Sequence, residues 1–277
     1  MSVYTRLTKE ELEQLLYLYD IGEFIRVEGI NEGITNSNYY LTTSKNKFIL
    51  TIFEEPNLNL DYAIDLMHML SANKINCPTP LKTKEGLSVT NVKNKPCSIF
   101  TLLPGKTISK NTPTIDMCKQ IGSTIGKIHN CSRKFKRFDL GLRNSDWFIS
   151  TSKKLEPVLI IEDIKLIKKE IENLIYCMNK GLPSGVIHSD LFRDNAMFLD
   201  NKLTGVIDFY YACNGYCLYD LAIIVNDWCL NEDLKIDLKK QDALIEYYNK
   251  ERKIENIEVN MWDKALRHAA LRFWLSR

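Results

Sequence analysis

Val186-Ile187-His188-Ser189-Asp190-Leu191-Phe192-Arg193-Asp194-Asn195, followed by Gly205-Val206-Ile207-Asp208-Phe209, is the stretch on which the reading of this chain turns. Short apolar runs end in a carboxylate (Asp190), a carboxamide (Asn195) and a second carboxylate (Asp208), five and then thirteen residues apart. Phosphoryl transfer needs those three groups. One carboxylate orients the attacking hydroxyl and accepts its proton, while an Asn and an Asp hold a cation that neutralises charge on nucleotide phosphates.

A plain β-hairpin is the competing reading. Val186-Ile187, Met197-Phe198-Leu199 and Leu203-Thr204-Gly205-Val206-Ile207 have the composition of buried strands, and Asp200-Asn201 is a natural turn between the last two. A hairpin accounts for neither His188 nor the polar groups at the strand ends. The pattern therefore implies a phosphotransferase using ATP and Mg2+.

Composition excludes other classes. With 277 residues, the chain is long enough for two lobes or one large domain. Its 45% hydrophobic and 26% charged residues are those of an ordinary globular protein, so no special class is required. A net charge of +2 without a long Lys/Arg run argues against a nucleic-acid partner. No apolar stretch approaches the about 18 residues of a membrane span, and Ser2-Val3-Tyr4-Thr5-Arg6 lacks a signal-peptide core. The cysteines at 77, 97, 118, 131, 177, 213, 217 and 229 include no Cys-x-x-Cys pair, which argues for reduced, buried thiols in a cytoplasmic protein. Cys213 and Cys217, close to Asp208, are expected to be packing residues.

Along the chain, Thr8-Lys9-Glu10-Glu11 is a capping box before a helix carrying Leu12, Leu15, Leu16 and Tyr19. Strands are expected at 24–27, 38–43, 48–53, 88–92 and 97–103, with a helix at 59–72, making a five-stranded antiparallel sheet. Pro104-Gly105 falls where strands give way to helices, dividing the chain into 1–103 and 104–277. Helices are expected near 114–130, 160–179, 217–230, 234–250 and 260–277. The last of these ends without a cap, from which the natural chain is expected to continue past Arg277.

Asp190 is thus the candidate base, and Asn195 and Asp208 the candidate ligands of a hard cation. Arg193 either places charge near the transferred phosphoryl group or a substrate carboxylate, or pairs on the surface with Asp194. Asp220, in Leu218-Tyr219-Asp220-Leu221-Ala222, reads as a helix cap that also anchors the site loop. The segment from Gly29 to Asn38 is expected to cover the phosphates with Gly29 and Gly33 but no Gly-x-Gly-x-x-Gly, so Asn36, Ser37 and Asn38 supply donors. Thr51, Thr101 and Leu103 complete the candidate nucleotide-binding residues.

These motifs resemble the aminoglycoside phosphotransferase and choline kinase superfamily, the small-molecule branch of the protein-kinase fold. Asn36-Ser37-Asn38-Tyr39-Tyr40, Phe192-Arg193-Asp194-Asn195, Phe209-Tyr210-Tyr211-Ala212, Asn226-Asp227-Trp228-Cys229 and Ala270-Leu271-Arg272-Phe273-Trp274-Leu275-Ser276-Arg277 look closest to homoserine kinases of the kinase-like type. The resemblance runs over essentially the whole chain. It implies an α+β, two-lobed protein-kinase-like fold and a soluble enzyme that phosphorylates L-homoserine for threonine biosynthesis. It also implies that His188 holds the loop by hydrogen bonds. Thr51 departs from the protein-kinase pattern, which has a phosphate-binding Lys there, and Asp61 and Asp65 stand where a Glu partner is usual. Ser189 replaces a commoner Gly.

Homoserine carries an ammonium and a carboxylate, so one acidic and one basic anchor are expected. Asp227 and Arg193 are the candidates, with Tyr211 and Trp228 as walls or, for Trp228, as core. A choline kinase would need an aromatic cage, for which Tyr210, Tyr211, Tyr216 and Trp228 are available. An aminoglycoside kinase would need an acidic pocket, whereas residues 209–277 hold eleven acidic against ten basic side chains. A nucleotide-binding pseudokinase is the third reading, motivated by Thr51.

Overall fold

The computed structural model describes residues 3–31, 35–108, 113–178 and 180–276, so Gly33 lies outside the described residues. Elements run in the order α1 (Lys9–Tyr17), β1 (Phe24–Gly29), β2 (Ser37–Thr43), β3 (Lys47–Ile52), α2 (Leu60–Ala72), β4 (Thr90–Val92), β5 (Lys95–Thr101) and β6 (Lys106–Thr107). There follow α3 (Ile115–Cys131), α4 (Ser145–Leu155), α5 (Ile161–Met178), β7 (Ser184–Ile187), β8 (Ala196–Leu199), β9 (Lys202–Val206) and β10 (Cys213–Tyr216). The chain ends in α6 (Cys217–Trp228), α7 (Leu238–Glu251), α8 (Asn256–Asn260) and α9 (Trp262–Ser276). No helix among the described residues is long and apolar enough to cross a membrane.

Contacts divide the chain into two units, Met1–Leu58 with Cys77–Leu103, and Asn59–Asn76 with Pro104–Arg277. Helix α2, assigned above to the N-terminal lobe, belongs by its contacts to the second unit. Tyr62 shows the reason: it is buried, stacks edge-on against Phe135 at 5.1 Å, and donates its hydroxyl to Asn214 Oδ1 at 3.1 Å. Asp65, on the same helix, pairs with Arg137.

The first unit is an antiparallel sheet in the order β1-β2-β3-β5-β4. Alternation puts Tyr39, Leu41, Phe48, Leu50, Ile52, Cys97 and Ile99 on one face, where Leu12, Leu15 and Leu16 of α1 cover them. Helix α1 starts as its sequence dictates, with the Thr8 hydroxyl and the Glu11 carboxylate each capping the other's main-chain N–H. Lys93 and Asn94, both at positive φ, close the two-residue turn between β4 and β5.

The second unit is mainly helical. The ladder β6-β8-β9 and the pair β10-β7 carry the loops of the site, and Asp200-Asn201 turns β8 into β9 with both residues at positive φ. Helix α4 was not foreseen. Its Ser and Thr are poor helix formers, and it stands because Asn144 caps it and because Phe148 is buried with Ile167, Ile171, Leu271 and Leu275. Helices α3 and α7 approach closely at Gly122 and Gly126. A Cβ on Gly122 would lie 2.2 Å from the Leu244 carbonyl oxygen, so only glycine fits there.

Gly122→Ala therefore has to separate two helices. It is expected to lower stability by about 1–3 kcal/mol, the usual cost of overpacking, read as a fall in the urea midpoint at unchanged slope.

Candidate active site

The segment that leaves β7 at Ile187 and the one that leaves β9 at Val206 each turn through a strained position. Ser189 has φ 60 and Asp208 has φ 65, left-handed backbone that costs non-glycine residues about 1–2 kcal/mol each. Hydrogen bonds hold both turns. Ser189 donates its hydroxyl to the Tyr211 carbonyl at 2.6 Å, and its N–H to Asp220 Oδ1 at 2.8 Å. The N–H of His188 donates to Asp220 Oδ2 at 2.8 Å. Asp220 is fully buried and lies within α6, whose N-cap is Tyr216, so its carboxylate serves the catalytic segment and is not a helix cap.

His188 is also fully buried. Its Nδ1 accepts from the Asp190 N–H at 3.3 Å, which leaves Nε2 to donate to the Ile207 carbonyl at 3.0 Å. Burial lowers its pKa, consistent with a neutral ring in this role. The imidazole thus ties the segment of Asp190 to that of Asp208. Asn195 adds a second tie, with Nδ2 donating to the Asp190 carbonyl at 2.7 Å and its own carbonyl accepting from the Ile207 N–H at 2.9 Å.

Three carboxylates, Asp190, Asp194 and Asp208, act on one another here. Burial, then the Asp208 charge, pushes the Asp190 carboxyl up to about 8, against the Arg143 guanidinium. Burial, then Asp194, pushes Asp208 up to about 6. Asn195 and Asp208 offer a carboxamide and a carboxylate, oxygen donors of the kind a hard divalent cation takes, so this pair fits one.

Two guanidinium groups converge on Asp190, and neither belongs to the catalytic motif. Arg272 of α9 is buried and within 2.5 Å of Asp190 Oδ1, with its guanidinium 4.2 Å from the Phe273 ring centroid. Arg143, in the turn before α4, lies 3.6 Å from the same oxygen and stacks on Tyr211 at 4.5 Å. An ion pair at hydrogen-bond distance favours the ionised carboxylate, so Arg272 opposes the upward push of burial. No motif spacing points to Arg143. The sequence signal nearest to it is the Asn144 helix cap.

Arg193 and Asp227 need correction. They were expected to hold opposite ends of a substrate, or Arg193 to pair with Asp194. Instead the Arg193 main-chain N–H donates to Asp227 Oδ2 at 2.8 Å, and its Nε lies 3.2 Å from both carboxylate oxygens. Each neutralises the other. Trp228 is buried and donates Nε1–H to the Leu191 carbonyl at 3.1 Å, so it packs beneath the segment and is not a substrate wall.

In the first unit, Asn38 Oδ1 accepts from the Thr51 hydroxyl at 2.7 Å. Ser37 is fully buried, and its hydroxyl donates to Glu54 at 2.6 Å and accepts the N–H groups of Tyr4 and Thr5, so that hydroxyl latches the N-terminal segment. Asn36 is buried and accepts from the Glu54 N–H at 3.2 Å. Thr101 Oγ1 accepts the Thr79 N–H at 2.9 Å at the end of β5, and Leu103 follows, half-buried. Lys95 pairs with Glu54 on the sheet face opposite Thr51 by strand alternation.

The sequence profile of the phosphotransferase enzyme family matches residues 26–254, and the chain belongs to that family. It is a hydroxyl-phosphorylating enzyme. Over its whole length it is 39% identical to a homoserine kinase of Methylobacillus flagellatus, covering 86% of that protein, and 36% identical to one of Neisseria meningitidis serogroup B, covering 90%. Among solved structures it is similar to an amicoumacin kinase in complex with AMP-PNP, Ca2+ and Ami (TM-score 0.77, 13% identity, 98% of this chain and 86% of that one). A microcompartment-associated aminopropanol kinase is comparable (TM-score 0.75, 18% identity, 98% and 90%). The α+β fold is therefore the protein-kinase-like one.

The raised carboxyls predict a pH dependence. If Asp190 and Asp208 serve as carboxylates, a raised pKa keeps the inactive, protonated form present to higher pH. The kcat/KM for nucleotide, which reports the free enzyme, is expected to fall about tenfold per pH unit on the acid side of neutrality. A profile flat down to about pH 5 would contradict the raised pair.

Proposed function

We propose that the chain transfers the γ-phosphoryl group of ATP to the side-chain hydroxyl of L-homoserine, giving O-phospho-L-homoserine and ADP, in the cytoplasmic route to threonine. The observation that carries this reading is the partly exposed Arg143 guanidinium beside Asp190. It suits an acceptor that brings a negative group beside its hydroxyl. Choline and the aminoglycosides carry no such group. The full-length relatives named homoserine kinase support the same acceptor. All eight cysteines are free, which agrees with a reducing compartment. A pseudokinase reading has little support, because Asp190, Asn195 and Asp208 are brought together by the ties described above.

In this reading the homoserine hydroxyl approaches Asp190, whose carboxylate orients it and takes its proton as the O–P bond forms and the bond to ADP breaks. Asn195 and Asp208 are the residues that would hold Mg2+, which when bound neutralises phosphate charge. Arg272 fixes the rotamer of Asp190, and His188 and Asp220 fix its main chain.

Asp190→Asn is expected to lower kcat by about 10²–10⁴-fold while leaving nucleotide affinity within a few fold. Asp208→Ala should instead weaken magnesium–nucleotide binding together with turnover. ADP release with homoserine, choline and kanamycin side by side tests the acceptor, and preference for either of the latter two would refute the homoserine assignment.

A further inference from the structure

Homoserine presents a carboxylate, and the site holds three guanidinium groups that could meet it. Arg193 is committed to Asp227 through its Nε and main-chain N–H. Arg272 has 4% of its side chain exposed and is spent on Asp190, against the Phe273 ring. Arg143 differs from Arg272 in its 28% exposed side chain, and from Arg193, which is 32% exposed, in making no hydrogen bond to its carboxylate: at 3.6 Å from Asp190 it is an ion pair beyond hydrogen-bond distance. Among the described residues it accounts for no hydrogen bond. Stacking on Tyr211 holds its plane, so its donor edge is pre-oriented and unoccupied.

We infer that Arg143 is the specificity-determining residue of the acceptor site: it takes the substrate carboxylate, bidentately, while the hydroxyl of the same molecule sits on Asp190. The inference rests on the homoserine reading and adds the residue that selects for an amino acid over an amino alcohol. The reach agrees with the chemistry. Four bonds separate the homoserine hydroxyl oxygen from its carboxylate carbon, a span of about 5 Å at ordinary bond lengths. A molecule of that length, hydrogen-bonded to Asp190 at one end, brings its carboxylate to a guanidinium that already neighbours Asp190. The approach also releases the weak Arg143–Asp190 contact, so substrate binding exchanges a long ion pair for a hydrogen-bonded one.

Three acceptors separate the roles: L-homoserine, 3-aminopropan-1-ol, which lacks only the carboxylate, and 4-hydroxybutanoate, which lacks only the ammonium. For Arg143→Met, kcat/KM is expected to fall about a hundredfold or more for homoserine and 4-hydroxybutanoate, and far less for aminopropanol. The loss should lie in the KM for homoserine and not in that for ATP, and Arg143→Lys should recover only part of it. Equal losses for all three acceptors, or a loss centred on ATP, would overturn the inference by moving Arg143 to the phosphoryl group or to the upkeep of Asp190. No loss at all would overturn it too. Where aminopropanol turnover is below detection, the split between the KM values for homoserine and ATP decides alone. A wild-type enzyme that uses aminopropanol but neither carboxylate-bearing acceptor would refute the homoserine reading itself, a result distinct from the others.

Discussion

The site hangs on one buried carboxylate. Asp220 has no exposed surface, and an ion in such a place costs several kcal/mol unless it is fully engaged. It is engaged on every side: by the N–H groups of His188 and Ser189, and by His129 Nε2 at 3.0 Å. His129 is in turn hydrogen-bonded through Nδ1 to Tyr248 at 2.9 Å, which accepts from Arg252, itself paired with Glu258. Burial opposes charge on both Asp220 and His129. Even so, the net direction is downward for Asp220, through His129, and upward for His129, through Tyr248, Cys217 and Asp220. The linkage follows from those signs. The Asp220 contribution is present above the ordinary aspartate pKa and is lost as pH falls. That of His129 is present below the ordinary histidine pKa and is lost once pH rises through its raised folded value. The polar chain therefore works best between those limits, and it fixes the strained backbone on which Asp190 sits.

The same chain explains why two helices with little catalytic chemistry of their own matter to the site. Tyr248, itself bonded by Arg252, reaches His129 because α3 and α7 approach closely at Gly122 and Gly126. A wider separation would leave His129 with a buried, unmatched Nδ1. The loss would then pass through Asp220 to the His188 and Ser189 main chain.

Much of this was legible in the sequence, and the division between what was and what was not has a physical basis. The strands of the first unit, the capped start of α1 and the Asp200-Asn201 turn are local: alternation, capping and turn chemistry act over a few residues. The closeness of Asp190, Asn195 and Asp208 was legible because one short segment and the next hairpin carry them. Partners distant in the chain were not. His129 and Asp220 lie 91 residues apart, and Arg272 and Asp190 lie 82 apart. The use of the Ser37 hydroxyl was not legible for a related reason: its partners Tyr4, Thr5 and Glu54 are distant in the chain. Helix α4 escaped because its own propensity is poor and its packing against α5 and α9 supplies the stability.

Charge placement carries the last step. Burial and neighbouring carboxylates push the Asp190 and Asp208 carboxyls up, and a divalent cation or a fixed guanidinium opposes that push. Arg272 is the fixed answer: buried and stacked on an aromatic ring, it holds Asp190 whether or not substrate is present. Arg143 is the conditional one, half-exposed and hydrogen-bonded to nothing among the described residues. A site with one permanent and one exchangeable cation at the same carboxylate can keep its base oriented while lending charge to an anionic acceptor. Lysine at either position would not do the same, because only the planar fork can stack on a ring and grip a carboxylate at once.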